Sequence, residues 1–220
     1  MKKIVIFDLD GTLLDSITDI AESMNEVLKK NNLPTHTIEA YKYKIGKGID
    51  NLVIAALPET TNPDEFPVYF EQMREIYGKR SMLKTRPYDG IIEMLRILKK
   101  EKLKLAILSN KPHKYTKEVV EKLISEIKFD CVFGSRDNVP IKPDAQAVFE
   151  ILDMFKLKPT EAIFVGDTAI DMQTANNAEI ESVGVAWGFR TVAELVQADA
   201  THIIYKPKEL IDCIYDNFQD

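Results

Sequence analysis

The sequence predicts an α/β protein: a parallel sheet with helices on both faces, interrupted once by a helical insert. Three observations predict it. Short continuous apolar runs, the mark of strands buried on both faces, alternate with amphipathic helical stretches along most of the chain. Each of several such runs is followed at once by a polar residue capable of chemistry. Residues 16–84 carry helix patterns and no convincing buried strand, so residues 1–15 and 85–220 are expected to form a core and 16–84 a second, helical domain.

The first run is Ile4-Val5-Ile6-Phe7. The later ones are Leu105-Ala106-Ile107-Leu108, Cys131-Val132-Phe133, Ala162-Ile163-Phe164-Val165, Val183-Gly184-Val185-Ala186 and a weaker His202-Ile203-Ile204-Tyr205. Between them, apolar residues recur at the spacing of one helix face. These faces are Ile91, Leu95 and Leu98; Tyr115, Val119 and Leu123; Ala147, Val148, Ile151, Leu152 and Phe155; and Leu210, Ile211, Ile214 and Phe218. Within the insert, Ile17, Ile20, Met24 and Leu28 form one face and Tyr69, Met73, Ile76 and Tyr77 another. Pro34, Gly46, Gly48, Pro58, Pro63 and Pro67 punctuate it.

Composition narrows the function. The chain has 220 residues, 45% of them hydrophobic, and a formal net charge of −6. That balance argues against nucleic acid as a partner, which usually needs a basic face, but not against a small anionic ligand held by a few local cations. Cys131 and Cys213 offer no zinc or redox spacing. The apolar run after Lys2-Lys3 ends at Asp8, too short for a signal segment, and no stretch approaches a membrane span. A cytoplasmic enzyme without membrane partners is expected.

In open parallel sheets, ligands bind beyond the carboxyl ends of the strands. At those ends stand Asp8-Leu9-Asp10-Gly11-Thr12, Ser109-Asn110-Lys111 and Gly166-Asp167-Thr168, and the loop after the 131–133 run leads to Lys142-Pro143. Topology alone brings them to one crevice. Several carboxylates beside a lysine and a hydroxyl suggest a hard-metal site: Asp8, Asp10 and Asp167 can supply oxygens to magnesium, with Asp171 one helical turn further on. Each piece has an ordinary reading as well. Asp10-Gly11 is a common turn dipeptide, Asp167-Thr168 and Ser109-Asn110 can cap helices, and Lys142 can be a solvated loop residue. Four such pieces at successive strand ends make those readings the weaker ones. Competing motifs fail. The Asp8 loop lacks the later ligands of an EF-hand, Gly46-Lys47-Gly48 is no P-loop, and neither a dinucleotide fingerprint nor a nucleophile elbow is present.

These motifs, in this order, resemble the haloacid dehalogenase-like superfamily. The resemblance covers Asp8-Leu9-Asp10-Gly11-Thr12, Leu108-Ser109-Asn110-Lys111-Pro112, Lys142-Pro143 and Gly166-Asp167-Thr168-Ala169-Ile170-Asp171. It implies a Rossmann-like core and a helical cap at 16–84. It further implies that Asp8 is a nucleophile forming an aspartyl-phosphate and that Asp10 is general acid and then base. Thr12, Ser109, Asn110 and Lys142 would serve the phosphate site, and Asp8, the Asp10 carbonyl and Asp167, supported by Asp171, would hold magnesium. The presence of Asp10 argues against the dehalogenase and phosphonate-hydrolase branches. Ser109-Asn110-Lys111-Pro112, the cap segment Ile45-Gly46-Lys47-Gly48 and Val185-Ala186-Trp187-Gly188-Phe189-Arg190 resemble the phosphoglycolate phosphatase group. One departure is Ala145, where that group often has a second proline after Lys-Pro. The expected substrate is a small phosphorylated metabolite, with Gly46, Lys47 and Gly48 forming an anion nest for a carboxylate. A sugar-phosphate mutase related to β-phosphoglucomutase, or a pyrophosphatase or nucleotidase, stands as the alternative.

Overall fold

The computed structural model describes residues 2–215. Phe218, expected on the last helical face, lies outside them. Six parallel strands form the main sheet, in the order β5-β4-β1-β6-β7-β8. They are β1 (Ile4–Phe7), β4 (Lys104–Pro112), β5 (Cys131–Ser135), β6 (Ala162–Gly166), β7 (Glu181–Val185) and β8 (His202–Ile204). All six expected runs are therefore strands of one parallel sheet. A separate antiparallel pair, β2 (Leu14–Asp15) and β3 (Arg86–Pro87), was not anticipated: two residues are too few to show a period.

The apolar runs are continuous because both faces of the sheet are covered. Val5, Phe7, Leu105, Ile107, Ile163 and Val165 pack on one side with Ile91, Leu95 and Leu98 of α5 (Ile91–Lys100), Val119 of α6 (His113–Leu123) and Leu210 and Ile214 of α10 (Leu210–Tyr215). Ile4, Ile6, Ala106, Leu108, Ala162 and Phe164 pack on the other. There they meet Ala147, Val148, Ile151 and Leu152 of α7 (Gln146–Phe155) and Ala175 of α8 (Ala169–Asn177). Alternate residues of each strand thus serve opposite cores, as a pleated strand requires. The small helix α9 (Val192–Gln197) contributes one buried residue, Leu195.

Strand β1 is central. It pairs with β4 on one side, Phe7 opposite Ile107, and with β6 on the other, Phe7 opposite Val165. The chain builds outward to β5 on one side and to β7 and β8 on the other, so the end of β1 lies where the strand order reverses, the usual place for a ligand crevice.

Between β2 and β3 run α1 (Ile17–Lys30), α2 (Ile38–Lys42), α3 (Ile49–Ala56) and α4 (Phe66–Arg80). Their apolar faces make a cluster of their own, including Ile17, Ile20, Met24, Leu28, Tyr69, Met73, Ile76 and Tyr77, to which the sheet side adds Phe189. Tyr115 shares a predicted helix face with Val119 and Leu123, but only Val119 is buried against the sheet. Tyr115 turns to the helical segment, its ring edge-on to Tyr77 at 5.6 Å and its hydroxyl donating to the Arg74 carbonyl at 3.0 Å. A buried carboxylate, Asp19 of α1, accepts from the Lys84 N–H at 2.9 Å and from the Thr85 N–H and hydroxyl at 2.8 and 2.7 Å, pinning the segment's return to its start. Among the described residues, no helix is long and apolar enough to cross a membrane.

Candidate active site

The end of β1 sets the site. Asp8 continues the ladder, its N–H donating to the Val165 carbonyl at 2.9 Å, and its side chain is buried. The chain then turns back through Gly11, whose N–H reaches the Leu14 carbonyl at 2.8 Å. Gly11 has φ +92°, and a Cβ there would stand 2.3 Å from Asp167 Oδ2, so both conformation and contact require glycine. Close approach also explains Gly188, where a Cβ would lie 2.2 Å from the Asp167 Cβ.

Asp167 is thereby enclosed. It accepts from the Thr12 hydroxyl at 3.2 Å and the Phe189 N–H at 2.7 Å. Trp187 fixes the same turn by donating its indole N–H to the Thr12 carbonyl at 3.0 Å. Asp171 sits in the first turn of α8, where one of its oxygens takes the Thr168 N–H at 3.0 Å and hydroxyl at 2.7 Å as a capping box. Its other oxygen meets Lys142 Nζ at 2.6 Å, and the same ammonium is 2.7 Å from Asp8 Oδ1.

Oxygens of Asp8, Asp167 and Asp171 lie within 4.8 Å of one another, all three buried. Burial raises the Asp8 carboxyl to about 7 against the pull of Lys142, with Asp171 adding to the rise. Burial, then Asp171 and Asp8, also push Asp167 well above the ordinary range. Lys142 is the reverse case: burial works against its charge, but Asp171 and Asp8 outweigh it and leave the ammonium more firmly protonated than usual. Three buried carboxylates facing one lysine are short of positive charge, and an all-oxygen donor set of this kind suits a hard divalent cation such as magnesium.

Asp10 stands apart from this cluster. Its carboxylate receives Lys111 Nζ at 2.9 and 3.0 Å, while the Tyr77 hydroxyl from α4 is 2.5 Å from the same ammonium. Burial disfavours the Lys111 charge, yet Asp10 and Tyr77 more than restore it. Asp10 thus brings no side-chain oxygen to the carboxylate cluster; the family resemblance gives it only a backbone carbonyl there.

Lys111 and Tyr77 were not singled out as site residues. Lys111 stood inside a recognised motif, but its burial was not legible. Tyr77 read as a core position, although a buried tyrosine hydroxyl demands a partner and so carried a signal. The β4 ladder is irregular between Leu108 and Pro112, and this irregularity brings Ser109, Asn110 and Lys111 to the site together.

Asn110 acts as a strut. Its amide donates to the Lys142 carbonyl and to the Gly46 carbonyl, both at 2.9 Å, and its oxygen accepts from the Lys142 N–H at 2.8 Å. Ser109 accepts from the Lys111 N–H at 3.2 Å. The cavity over these groups is lined on the sheet side by Asp8, Asp10, Ser109, Asn110, Lys142 and Thr168, and on the helical side by Ile20, Ile45, Ile49, Leu52 and Met73. It holds about 70 Å³, room for several water-sized groups.

Gly46 and Gly48 also line it, with φ of +117° and +85°. Lys47 does not. Its side chain is exposed, because the two glycines turn the backbone toward the cavity and leave the residue between them outside. Thr12 and Asp167 lie behind the lining, with Thr12 braced on Asp167 rather than open to the cavity.

Known proteins resemble this chain over most of its length. The haloacid dehalogenase-like hydrolase family profile matches residues 5–185. The phosphoglycolate phosphatase of Aquifex aeolicus is 31% identical over 188 residues, covering 85% of this chain and 86% of that protein. Phosphoglycolate phosphatase 1 of Pseudomonas aeruginosa is 27% identical, covering 97% of this chain and 80% of its own length. A crystal structure of a predicted phosphoglycolate phosphatase from Haemophilus somnus superposes with a TM-score of 0.90 at 29% identity, over 96% of this chain and 97% of that one. With the family profile matched over most of the chain's length, the chain belongs to the haloacid dehalogenase-like hydrolases.

Proposed function

We propose that this protein is a magnesium-dependent phosphatase that hydrolyses a small phosphomonoester through an aspartyl-phosphate, with 2-phosphoglycolate or a similarly small phosphorylated acid as substrate. The observation that carries the reading is Asp8: a buried carboxylate at the end of the central strand, held by Lys142 beside Asp167 and Asp171, and open to the cavity. The names of the relatives and the small cavity support the substrate class.

In this reading Asp8 attacks phosphorus and the leaving oxygen departs with a proton from Asp10. Asp10 then takes a proton from the water that opens the acyl-phosphate, returning Asp8 as a carboxylate and releasing inorganic phosphate. Lys142 neutralises Asp8 and the phosphoryl oxygens as the two anions approach, and Ser109 donates to a phosphoryl oxygen. Asp8, Asp167 and Asp171 with the Asp10 carbonyl would hold magnesium, which supplies charge neutralisation when bound. Residues 16–84 act as a cap over a core of 1–15 and 85–220, excluding bulk water from the reacting groups.

The test is phosphate release by the purified protein from a panel of 2-phosphoglycolate, hexose phosphates, nucleoside monophosphates and pyrophosphate, with magnesium and with chelator. The expected result is magnesium-dependent release with 2-phosphoglycolate leading in kcat/KM. Full activity in chelator, or conversion of a sugar phosphate to its isomer without phosphate release, overturns it.

A further inference from the structure

The cavity carries a second buried cation that the chemistry above leaves unused. Lys111 lines the cavity, yet its side chain is only 5% exposed. Its ammonium is within 3.0 Å of both Asp10 oxygens and 2.5 Å from the Tyr77 hydroxyl. The other lining lysine, Lys142, is committed to Asp8 and Asp171. Much of the opposing wall is apolar, made by Ile45, Ile49, Leu52 and Met73.

We propose that Lys111, with the Tyr77 hydroxyl beside it, is the specificity-determining pair that receives an anionic substituent of the leaving group. The site then selects phosphomonoesters whose alcohol carries a carboxylate one or two carbons from the ester oxygen. The inference rests on the reading of Asp10 as acid to the leaving oxygen.

Geometry leads to it directly. For Asp10 to protonate the leaving oxygen, that oxygen must come within about 2.6–3.2 Å of an Asp10 oxygen. Lys111 Nζ already lies within 3.0 Å of both Asp10 oxygens, so a group one or two atoms beyond the ester oxygen falls within its reach. An ammonium has three donors. In the structure they meet two Asp10 oxygens and the Tyr77 hydroxyl. When Asp10 turns one oxygen to the leaving group, a Lys111 N–H is released toward the cavity. A substrate carboxylate accepts it in a charge-assisted bond, whereas an alkyl group leaves it facing Ile45, Ile49, Leu52 and Met73 without an acceptor. Tyr77 belongs to α4 of the cap, so one of the groups beside the carboxylate arrives with the helical segment itself. This places recognition of the leaving group on the second strand-end motif and the cap helix, rather than on the exposed Lys47.

The deciding experiment compares the wild type with Lys111→Met, Lys111→Arg and Tyr77→Phe, all with magnesium. The substrates are 2-phosphoglycolate and ethyl phosphate, which has the same chain length and no carboxylate. The wild type is expected to favour 2-phosphoglycolate. In Lys111→Met that preference in kcat/KM falls by about 10- to 100-fold, chiefly through KM for 2-phosphoglycolate. Lys111→Arg retains most of it, and Tyr77→Phe lowers it by about 3- to 10-fold. Equal slowing of both substrates by Lys111→Met, with the preference intact, overturns the inference while leaving the phosphatase reading standing. No phosphate release from either ester by the wild type is the separate failure of that reading. If Lys111→Met does not fold by circular dichroism, the Tyr77→Phe preference decides, and an unchanged preference overturns the inference.

Discussion

Lys142 Nζ stands 2.7 Å from Asp8 Oδ1, a buried pair joining the loop after β5 to the end of β1. The same ammonium is 2.6 Å from Asp171, so removing the Asp8 charge does not strand it. Asp8→Asn is therefore expected to fold and to melt within a few degrees of the wild type, while losing at least about 10³-fold in kcat, because an amide forms no acyl-phosphate. Circular dichroism melts and steady-state phosphate release check both halves. A folded Asp8→Asn protein with near-normal turnover rules out the nucleophile assignment.

Asp10→Asn removes the charge partner of Lys111 and, in the proposed mechanism, the proton donor to the leaving oxygen. Loss of general acid catalysis is expected to slow alkyl phosphates by about 10²–10⁴-fold and aryl phosphates, whose leaving groups need little protonation, by much less. Single-turnover burst measurements on 2-phosphoglycolate and p-nitrophenyl phosphate make the comparison, and equal losses on both argue against the role.

Magnesium should stabilise the fold, and more so at high pH. Burial raises the Asp8 carboxyl from 3.8 to about 7 in the folded protein. Below about pH 4 the group is protonated in both folded and unfolded chains and contributes nothing. Between pH 4 and 7 the unfolded chain releases its proton while the folded one resists, so metal-free stability declines across this window. A bound cation favours the ionised form and removes that penalty. At a concentration about a hundredfold above its Kd at pH 8, magnesium is expected to raise Tm by about 5–10 °C at that pH, and the same concentration distinctly less at pH 5, where its affinity is lower. Scanning calorimetry at the two pH values, with magnesium and with chelator, tests it. A shift independent of pH counts against the carboxylate cluster as the binding site.

Gly188→Ala tests the packing around Asp167. The added Cβ would meet the Asp167 Cβ at 2.2 Å and the Gly11 carbonyl oxygen at 2.6 Å, and neither atom is the end of a flexible chain. Overpacking of this kind costs about 1–3 kcal/mol, which for a chain of this size corresponds to roughly 2–12 °C in Tm. Magnesium affinity is expected to fall as well, since Asp167 is the group displaced. A melt and a calorimetric magnesium titration show whether both move.

Much of the core was legible because burial on both faces writes itself into composition: β1, residues 105–108 of β4, and β6 up to Val165 are continuous apolar runs. The long stripe of α7 was legible for the related reason that one helix face meets the sheet. The short helices α2 and α3 offered too few turns to show a period, and α8 is nearly without a stripe because small residues such as Ala175 bring it close to the sheet. Asp8, Asp167 and Lys142 could be placed in one crevice because topology fixes where strand ends go. Lys47, Lys111 and Tyr77 could not be sorted that way. Whether a lysine faces a cavity or solvent depends on one or two backbone angles, here at Gly46, Gly48 and the irregular end of β4. Such angles leave no periodic trace.

The small antiparallel pair β2–β3 sets Asp15 opposite Arg86. The chain leaves the sheet and returns to it at one point, so the whole helical segment occupies the position of the loop in a hairpin. Closing a longer flexible loop adds only about 0.6 kcal/mol for each doubling of its length, so chain closure by itself sets little limit on the size of an insert at that position. No strand of the main sheet lies within residues 16–85, so in the proposed reading a different helical module fitted there would change what the site admits while Asp8 and Lys142 keep their places at the strand ends.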